Sequence, residues 1–241
     1  MDVVVIAVAA VLTSVLSAVA GLGGGVILLA VLAQFFVPIV AIPIQGGIQL
    51  ASNGSRALLL RREINLRAAG AASLLILPAS LAGVALATSV PEEATRFALG
   101  TFLLVVVWRP SMLRWTPAGG ISDRTLVGVG AVSGFLNTTV GASGPFTSPF
   151  FKAVTSTHTA FVATAAASQV VAHTSKLTAF GLDGFDFREH ATVIGVGAVS
   201  VIAGSWIGTK LLGRVSDRHL RYLFRTVLTI LAIRLIVRSI V

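Results

Sequence analysis

Two glycine-rich segments that interrupt apolar runs constrain this chain more than any other feature. The first is Gly21-Leu22-Gly23-Gly24-Gly25, and the second, 120 residues later, is Gly141-Ala142-Ser143-Gly144-Pro145. Glycine is less favourable than alanine in a helix by about 1 kcal/mol, so neither segment continues a helix comfortably. In lipid, such backbone must be satisfied by protein or by a water-lined cavity. Broken apolar segments at matching places in two halves of a chain point to a transport site.

The composition indicates a membrane protein. Of the 241 residues, 55% are hydrophobic and only 11% are charged, about half the charged fraction of a soluble domain. Apolar runs long enough to cross a bilayer recur along the chain, which predicts an all-α polytopic fold. The net charge of +9 does not indicate nucleic acid, because most arginines lie in short loops between apolar runs. There is no cysteine and no metal-ligand spacing, and the pattern calls for no cofactor.

The apolar runs and their polar connections give the expected helices. These are 3–20, 26–37, 42–60, 68–88, 92–108, 125–140, 146–154, 157–180, 190–212 and 219–240. The first two runs form a broken or re-entrant hairpin, with the second run ending before Pro38 and Pro43. Pro78 interrupts the run 68–88, since proline cannot donate the backbone hydrogen bond of a helix interior.

Matching residues in the two halves of the sequence indicate an internal duplication. At an offset of 120, Gln49 matches Gln169 and Arg56 matches Lys176; later the offset becomes 125, where Ser80 matches Ser205. We therefore predict a first transmembrane repeat at 1–110, a linker at 111–124 and a second repeat at 125–241. Each repeat has a glycine-broken hairpin and about three full spans.

Loop charges predict the orientation of the repeats. The loops 61–67, 109–124 and 213–221 each carry three arginines and one acidic residue, whereas 89–96 and 181–190 carry one arginine each and five acids between them. The positive-inside rule places the first three loops in the cytoplasm. The matching loops 61–67 and 181–190 then lie on opposite sides, so the repeats are inverted. The expected location is the prokaryotic plasma (inner) membrane, crossed several times.

Two matching polar triplets stand within the apolar spans. One helix carries Gln49, Asn53 and Arg56, and the other carries Gln169, His173 and Lys176, each at positions i, i+4 and i+7 on one face. Polar residues inside spans usually face the bundle interior or a wet cavity. With the breaks they predict a substrate site. Its candidate residues are Gly23, Gly24, Gly25, Gln49, Asn53, Arg56, Ser143, Gly144, Thr147, Gln169, His173 and Lys176.

The sign of the predicted site indicates an anion. Apart from Glu92 and Glu93 at the start of one run, no acidic residue lies within any predicted span, and the helix starts after the two breaks would present free amides to an oxyanion. Arg56 and Lys176 then attract the substrate from opposite sides of the membrane. The mechanistic hypothesis is alternating access, with one repeat rocking against the other. The expected partners are a small anion and the lipid bilayer, and the choice between monomer and homodimer stays open.

The glycine motifs resemble those of the sulfite exporter TauE/SafE family. That family has a G-x-G-G-G segment followed by a proline in each half. The first half here has Gly21–Gly25 without a proline at the expected distance, and the second has Gly141, Gly144 and Pro149, with Ser143 where a glycine is usual. The resemblance implies export of sulfur oxyanions such as sulfite, sulfoacetate or similar two-carbon sulfonates.

Three other functions are compatible with parts of the pattern. An anion channel or a carboxylate permease could be built from the same inverted repeats. Gly141-Ala142-Ser143-Gly144 also resembles the G-x-S-G motif of rhomboid intramembrane proteases, with His173 as the base. Because Ser143 matches Gly23 of the first half, a small residue in a duplicated break explains it more simply. We therefore expect a transporter and no catalytic residues.

Overall fold

The fold, seen in a computed structural model, is helical throughout the part that the structure describes. That part comprises residues 2–20, 24–113, 120–210 and 217–240. The helices are α1 (Asp2–Ala20), α2 (Gly24–Phe35), α3 (Pro38–Leu59), α4 (Leu66–Ser73), α5 (Ile76–Ser89), α6 (Glu92–Trp108), α7 (Asp123–Thr139), α8 (Gly144–Ala153), α9 (His158–Leu182), α10 (Ala191–Lys210) and α11 (Asp217–Val237). Short 3-10 turns at Arg61–Glu63 and Pro110–Leu113 follow α3 and α6. Most helix ends lie within two residues of the predicted ones.

The start of α3 is the largest error in the predicted boundaries. The helix begins at Pro38 and not at 42, with Val37 as the extended residue before it. Proline suits the first helical position, where its fixed φ fits and no N–H is needed. Pro43 lies inside the helix, so it does not end the preceding run as we expected. The extra turn places Gln45 well within α3.

Pro78 breaks the predicted run 68–88 into two helices, but the break precedes the proline. α4 ends at Ser73 and α5 begins at Ile76. Proline deprives the carbonyl four residues earlier of its donor and clashes with it, and here that residue is Leu74. The N–H of Leu74 bonds the Ala71 carbonyl at 3.4 Å, as in a tightened last turn. The interruption therefore lies one turn before Pro78.

The helices that follow the two breaks are short and central. α2 has 12 residues and α8 has 10, lengths of about 18 and 15 Å at 1.5 Å per residue, well short of a ~30 Å hydrocarbon core. Most of α2 is buried, as expected of a helix that is apolar all round. Residues 21–23 of the first break lie outside the described residues. The second break spans 140–143, between α7 and α8.

The outer surface is apolar, as in a polytopic membrane protein. Among the described residues, Leu66–Ser89 and Ala191–Gly208 are long and apolar enough to cross a membrane. Large apolar side chains such as Leu12, Leu74 and Val199 are about two-thirds exposed. Apolar surface of this extent suits contact with lipid and not with water.

The packing crosses between the two halves of the chain. α1 packs along α10, α7 packs along α4 and α5, and α3 meets α9 at the centre. α3 and α9 run antiparallel: Gly46 lies against the Lys176 side chain, whereas farther along, the Asn65 N–H donates to Thr164 Oγ1 at 2.9 Å. Matching helices that run in opposite directions are what inverted repeats produce.

Two serine contacts join positions that match between the two halves. Ser205 Oγ lies 2.7 Å from Ser14 Oγ, and Ser80 Oγ donates to the Gly134 carbonyl at 3.3 Å. Ser80 and Ser205 are the pair matched at an offset of 125, while Ser14 and Gly134 are related by the offset of 120. Both contacts join equivalent places, which favours the predicted duplication. The repeat boundaries stay a prediction.

Candidate functional site

A polar cavity lies where α3 and α9 meet the two breaks. Its volume is about 80 Å³, room for several waters or one small anion. It is lined by Gly25, Val26, Gln45, Gln49, Asn53, Arg56, Asn137, Gly141, Ala142, Ser143, Gly144, Gln169 and His173. None of the chain's nine acidic residues is among them.

Two short helices begin at this cavity. α2 starts at Gly24 and α8 at Gly144, which confirms the predicted helix starts after the breaks. In the first turn of α8, the N–H groups of Phe146 and Thr147 bond the Ser143 carbonyl at 3.0 Å, and Pro145 has no N–H. The N–H of Gly144, which lines the cavity, is therefore the donor of that turn available to a ligand. Helix N-termini attract negative charge.

The absence of a side chain at Gly25 makes room for Gln49. A Cβ on Gly25 would lie 2.0 Å from Gln49 Nε2, so the amide packs directly against the α2 backbone. On the opposite wall, Gln169 Nε2 donates to Ser143 Oγ at 3.2 Å. Each of the paired glutamines thus reaches the helix start that follows a break. The first residues of the two triplets, Gln49 and Gln169, meet at one cavity.

Ser143 does not cap its own helix. It is the residue before α8, but its side chain makes no capping bond. Its Oγ accepts hydrogen bonds from Ser133 Oγ at 2.8 Å and from Gln169 Nε2 at 3.2 Å. A hydroxyl has two acceptor lone pairs and one donor, so the proton of Ser143 is what it can offer to the cavity. A serine nucleophile would need a base within hydrogen-bond reach, and the partners of this hydroxyl are not His173.

Lys176 lies behind the cavity wall at one end of the cavity. Its side chain is fully buried, and Nζ donates to Gln45 Oε1 at 2.9 Å and to the Gly141 carbonyl at 3.1 Å. Gln45 Nε2 in turn donates to the Gly25 carbonyl at 3.3 Å. One chain of hydrogen bonds thus joins the backbone of both breaks. No carboxylate pairs with Lys176 among the described residues, and a buried charge without a counter-charge is costly.

The other end of the cavity holds Arg56. This side chain is partly exposed, and its guanidinium donates to Ser52 Oγ at 3.4 Å. Arg56 is ten residues from Gly46, the neighbour of Lys176, or about 15 Å along α3. The two matched cations therefore stand at opposite ends of the site, as the inverted arrangement predicts.

Two buried groups at the cavity have polar atoms without a protein partner in the described part of the chain. Both side-chain amide atoms of Asn137 and Nδ1 of His173 are in this position. Buried polar atoms are nearly always hydrogen-bonded. Such atoms on the wall of a cavity are therefore ready to bond a ligand.

The structure brings most of the predicted site residues together. Gly25, Gln49, Asn53, Arg56, Ser143, Gly144, Gln169 and His173 line the cavity. Lys176 is bonded to its wall, while Gly24 is buried at the start of α2. Thr147 is buried, and its Oγ1 donates to the Gly144 carbonyl of its own helix at 3.3 Å. Gly23 lies outside the described residues. The binding roles of all these residues stay predictions.

Sequence reasoning missed two polar residues of the cavity, Gln45 and Asn137. Gln45 lies one turn before Gln49 on the same face of α3, but the predicted helix start at 42 put it at the helix end. Asn137 lies on α7, four residues before Gly141. A polar amide within an apolar span was the available signal. Neither residue has a polar amide at the matching position of the other half.

A helical bundle with an apolar exterior, a buried polar cavity at two helix breaks and no acid in that cavity defines a membrane transport protein for anions. The comparisons agree. The sequence model of the family described as "Sulfite exporter TauE/SafE" matches residues 6–235. The chain belongs to this family of membrane transporters, which move sulfur anions such as sulfite. Neither the curated proteins nor the solved structures give a match.

Proposed function

We propose that this protein exports sulfite, sulfoacetate or similar two-carbon sulfonates across the prokaryotic inner membrane. The observation that carries the proposal is the cavity itself, where two helix starts and a set of amide, hydroxyl and cationic groups converge without any carboxylate. An oxyanion offers several acceptor oxygens to such donors. The cavity of about 80 Å³ suits a small substrate. Lys176 and Arg56 supply positive charge at its two ends.

The proposed mechanism is alternating access around this cavity. At one end, Lys176 is fully buried and bonded to Gln45 and Gly141, which suits a closed gate. At the other end, Arg56 and Asn53 are partly exposed, which suits an entrance. By the loop charges, the Arg56 end faces the cytoplasm. Opening the other end would require the bond between Lys176 and Gln45 to break.

The bodies that move are best identified from the packing. α1 is joined to α10, and α7 to α4 and α5, so each tightly packed group takes helices from both halves. We propose that these two groups rock against each other, with α3 and α9 between them. The motion then changes the contacts of the central pair more than those within either group.

Ligand binding to the purified protein tests the proposed function. Sulfite or sulfoacetate at 100 times its Kd stabilises the folded state by about 2.7 kcal/mol, so we expect a rise of several degrees in the thermal midpoint. The variants Gln49→Ala and Gln169→Ala should each reduce that rise. Gly54→Ala, where a Cβ meets no atom within 4 Å, is the matched control on α3.

Measurements on the same purified protein distinguish the transporter from a carboxylate permease and from a channel. Equal stabilisation by acetate would favour a carboxylate permease. In proteoliposomes, saturable sulfite flux with counterflow between labelled and unlabelled substrate is expected of a carrier, and flux without saturation or counterflow would indicate a channel. If neither sulfite nor any short sulfonate shifts the thermal midpoint, the proposed function is wrong.

The change Gly25→Ala should weaken anion binding with little effect on folding. Its Cβ would take the place of Gln49 Nε2, 2.0 Å away, and that atom is the far end of a flexible side chain that can turn aside. Losing a hydrogen bond to a charged ligand costs about 1.5–3 kcal/mol, so the Kd for sulfite should rise about tenfold or more. Isothermal titration in detergent measures it. An unchanged Kd beside an unchanged thermal midpoint would mean that Gln49 does not bind the anion.

A further inference from the structure

We propose that the preferred substrate is an oxyanion that itself carries a hydroxyl hydrogen, and that Asn137 selects for it. This inference rests on the proposed function and narrows its substrate class. Asn137 is fully buried and lines the cavity, and both of its amide atoms lack a protein partner among the described residues. An amide has one acceptor and one donor end. Whichever way round the amide sits, one of its two ends is a buried acceptor without a protein partner.

An anion with oxygens only cannot satisfy that acceptor. Two other groups of the cavity act only as donors to an anion: Ser143 has only its proton to offer, and the Arg56 guanidinium has no acceptor. The amide nitrogen of Asn137 would bond an oxygen of the anion, while its oxygen requires an O–H or N–H from the substrate. A site with an unpaired buried acceptor discriminates strongly against a ligand that lacks the matching donor.

The charges at the ends of the cavity decide between the two kinds of donor. Arg56 is a cation at one end, the Lys176 amine lies at the other, and no acidic residue lines the cavity. A substrate ammonium group would be repelled by the guanidinium without a carboxylate to compensate. A hydroxyl is neutral and donates one hydrogen. Two sources of this chemistry fit: the hydroxyl of a hydroxylated two-carbon sulfonate, and the proton of hydrogen sulfite.

Matched ligand pairs test the inference with the full-length protein in detergent. The first pair is 2-hydroxyethanesulfonate and ethanesulfonate, and the second is hydrogen sulfite and methanesulfonate, which both carry one negative charge. We expect at least about a tenfold lower Kd for the hydroxyl-bearing member of one pair or both, and the pair that shows it identifies the source. By the charge argument, 2-aminoethanesulfonate should bind more weakly than 2-hydroxyethanesulfonate.

The variant Asn137→Leu removes both amide atoms and keeps a side chain of similar size. The preference for the hydroxylated ligand should fall to less than about threefold, while ethanesulfonate still binds. Asn53→Leu is the matched control, because the Asn53 amide lines the same cavity but already donates to the Gln49 carbonyl at 3.0 Å. Asn53→Leu should raise the Kd of both ligands of a pair by the same factor. If Asn137→Leu does not fold, the wild-type ratios still decide.

The outcomes separate this inference from the proposed function. Equal Kd values within both pairs, with clear binding of each sulfonate, would overturn the role of Asn137 and leave the transporter intact. A preference that survives in Asn137→Leu would assign the selection to another group. Absence of binding by every ligand would overturn the proposed function itself.

Discussion

Alanine in place of Gly141 should cause a large loss of stability for two separate reasons. Gly141 has φ +76°, a left-handed conformation that costs an alanine roughly 1 kcal/mol. Its new Cβ would also lie 2.5 Å from Leu29 Cδ2 and 3.1 Å from Ile42 Cγ1, and overpacking costs about 1–3 kcal/mol. We expect a total loss of about 2–4 kcal/mol, measured as a lower thermal midpoint in detergent and a lower yield of folded protein.

A second glycine separates the two causes. Gly184 also has a positive φ, +94°, but a Cβ there meets no atom within 4 Å. Gly184→Ala should therefore show only the conformational part of the loss. If Gly141→Ala is no less stable than Gly184→Ala, the contacts of the second break with α2 and α3 are not tight. Gly141→Ala should also weaken anion binding, because the Gly141 carbonyl accepts a hydrogen bond from Lys176.

Methionine in place of Lys176 should abolish most anion binding while the protein still folds. The substitution keeps the length of the side chain and removes an ammonium that has no carboxylate partner among the described residues. Lys176 does not line the cavity and would act on the anion through its charge, which at close range in the protein interior contributes a few kcal/mol, so the Kd for sulfite should rise at least about 30-fold. The energetic relief of losing an unpaired buried charge offsets the two lost hydrogen bonds.

The comparison with Arg56→Met makes that expectation specific. Arg56 is partly exposed, so solvent screens its charge and its removal should weaken binding less. Both Kd values come from titration, with the thermal midpoint of the ligand-free protein as the check on folding. Should Lys176→Met bind sulfite as the wild type does, the lysine would serve only to join the two breaks through Gln45 and Gly141.

The site could be predicted from the sequence where the two halves match. Gln49 and Gln169 share an offset and a helical spacing, and both reach the cavity. The helix starts at Gly24 and Gly144 followed from the glycines alone, because the backbone physics of glycine is local. These features depend on period and on residue type, which a sequence states directly.

The parts that the sequence did not reveal depend on packing between distant segments. Asn137 and Gln45 have no amide counterpart in the other half, where Ser17 and Ala165 stand, so the repeat pattern gave no reason to choose them. That the Lys176 ammonium bonds Gln45, 131 residues away, follows from the contact between α3 and α9. The start of α3 was missed because Pro38 and Pro43 were interpreted alike, although one suits a first turn and the other is tolerated inside the helix.

The cross-packing of the halves bears on how such a protein could have originated. A Cβ on Gly130 would lie 1.8 Å from the Ala72 carbonyl oxygen, and one on Gly83 would lie 2.9 Å from that of Phe135, so each half supplies a helix that fits against the backbone of the other. A half expressed alone would leave these faces unfilled. On the predicted duplication, an ancestor encoding one half would have built this architecture as two intertwined chains, inserted in opposite orientations. Gene fusion would then have joined partners that already depended on each other.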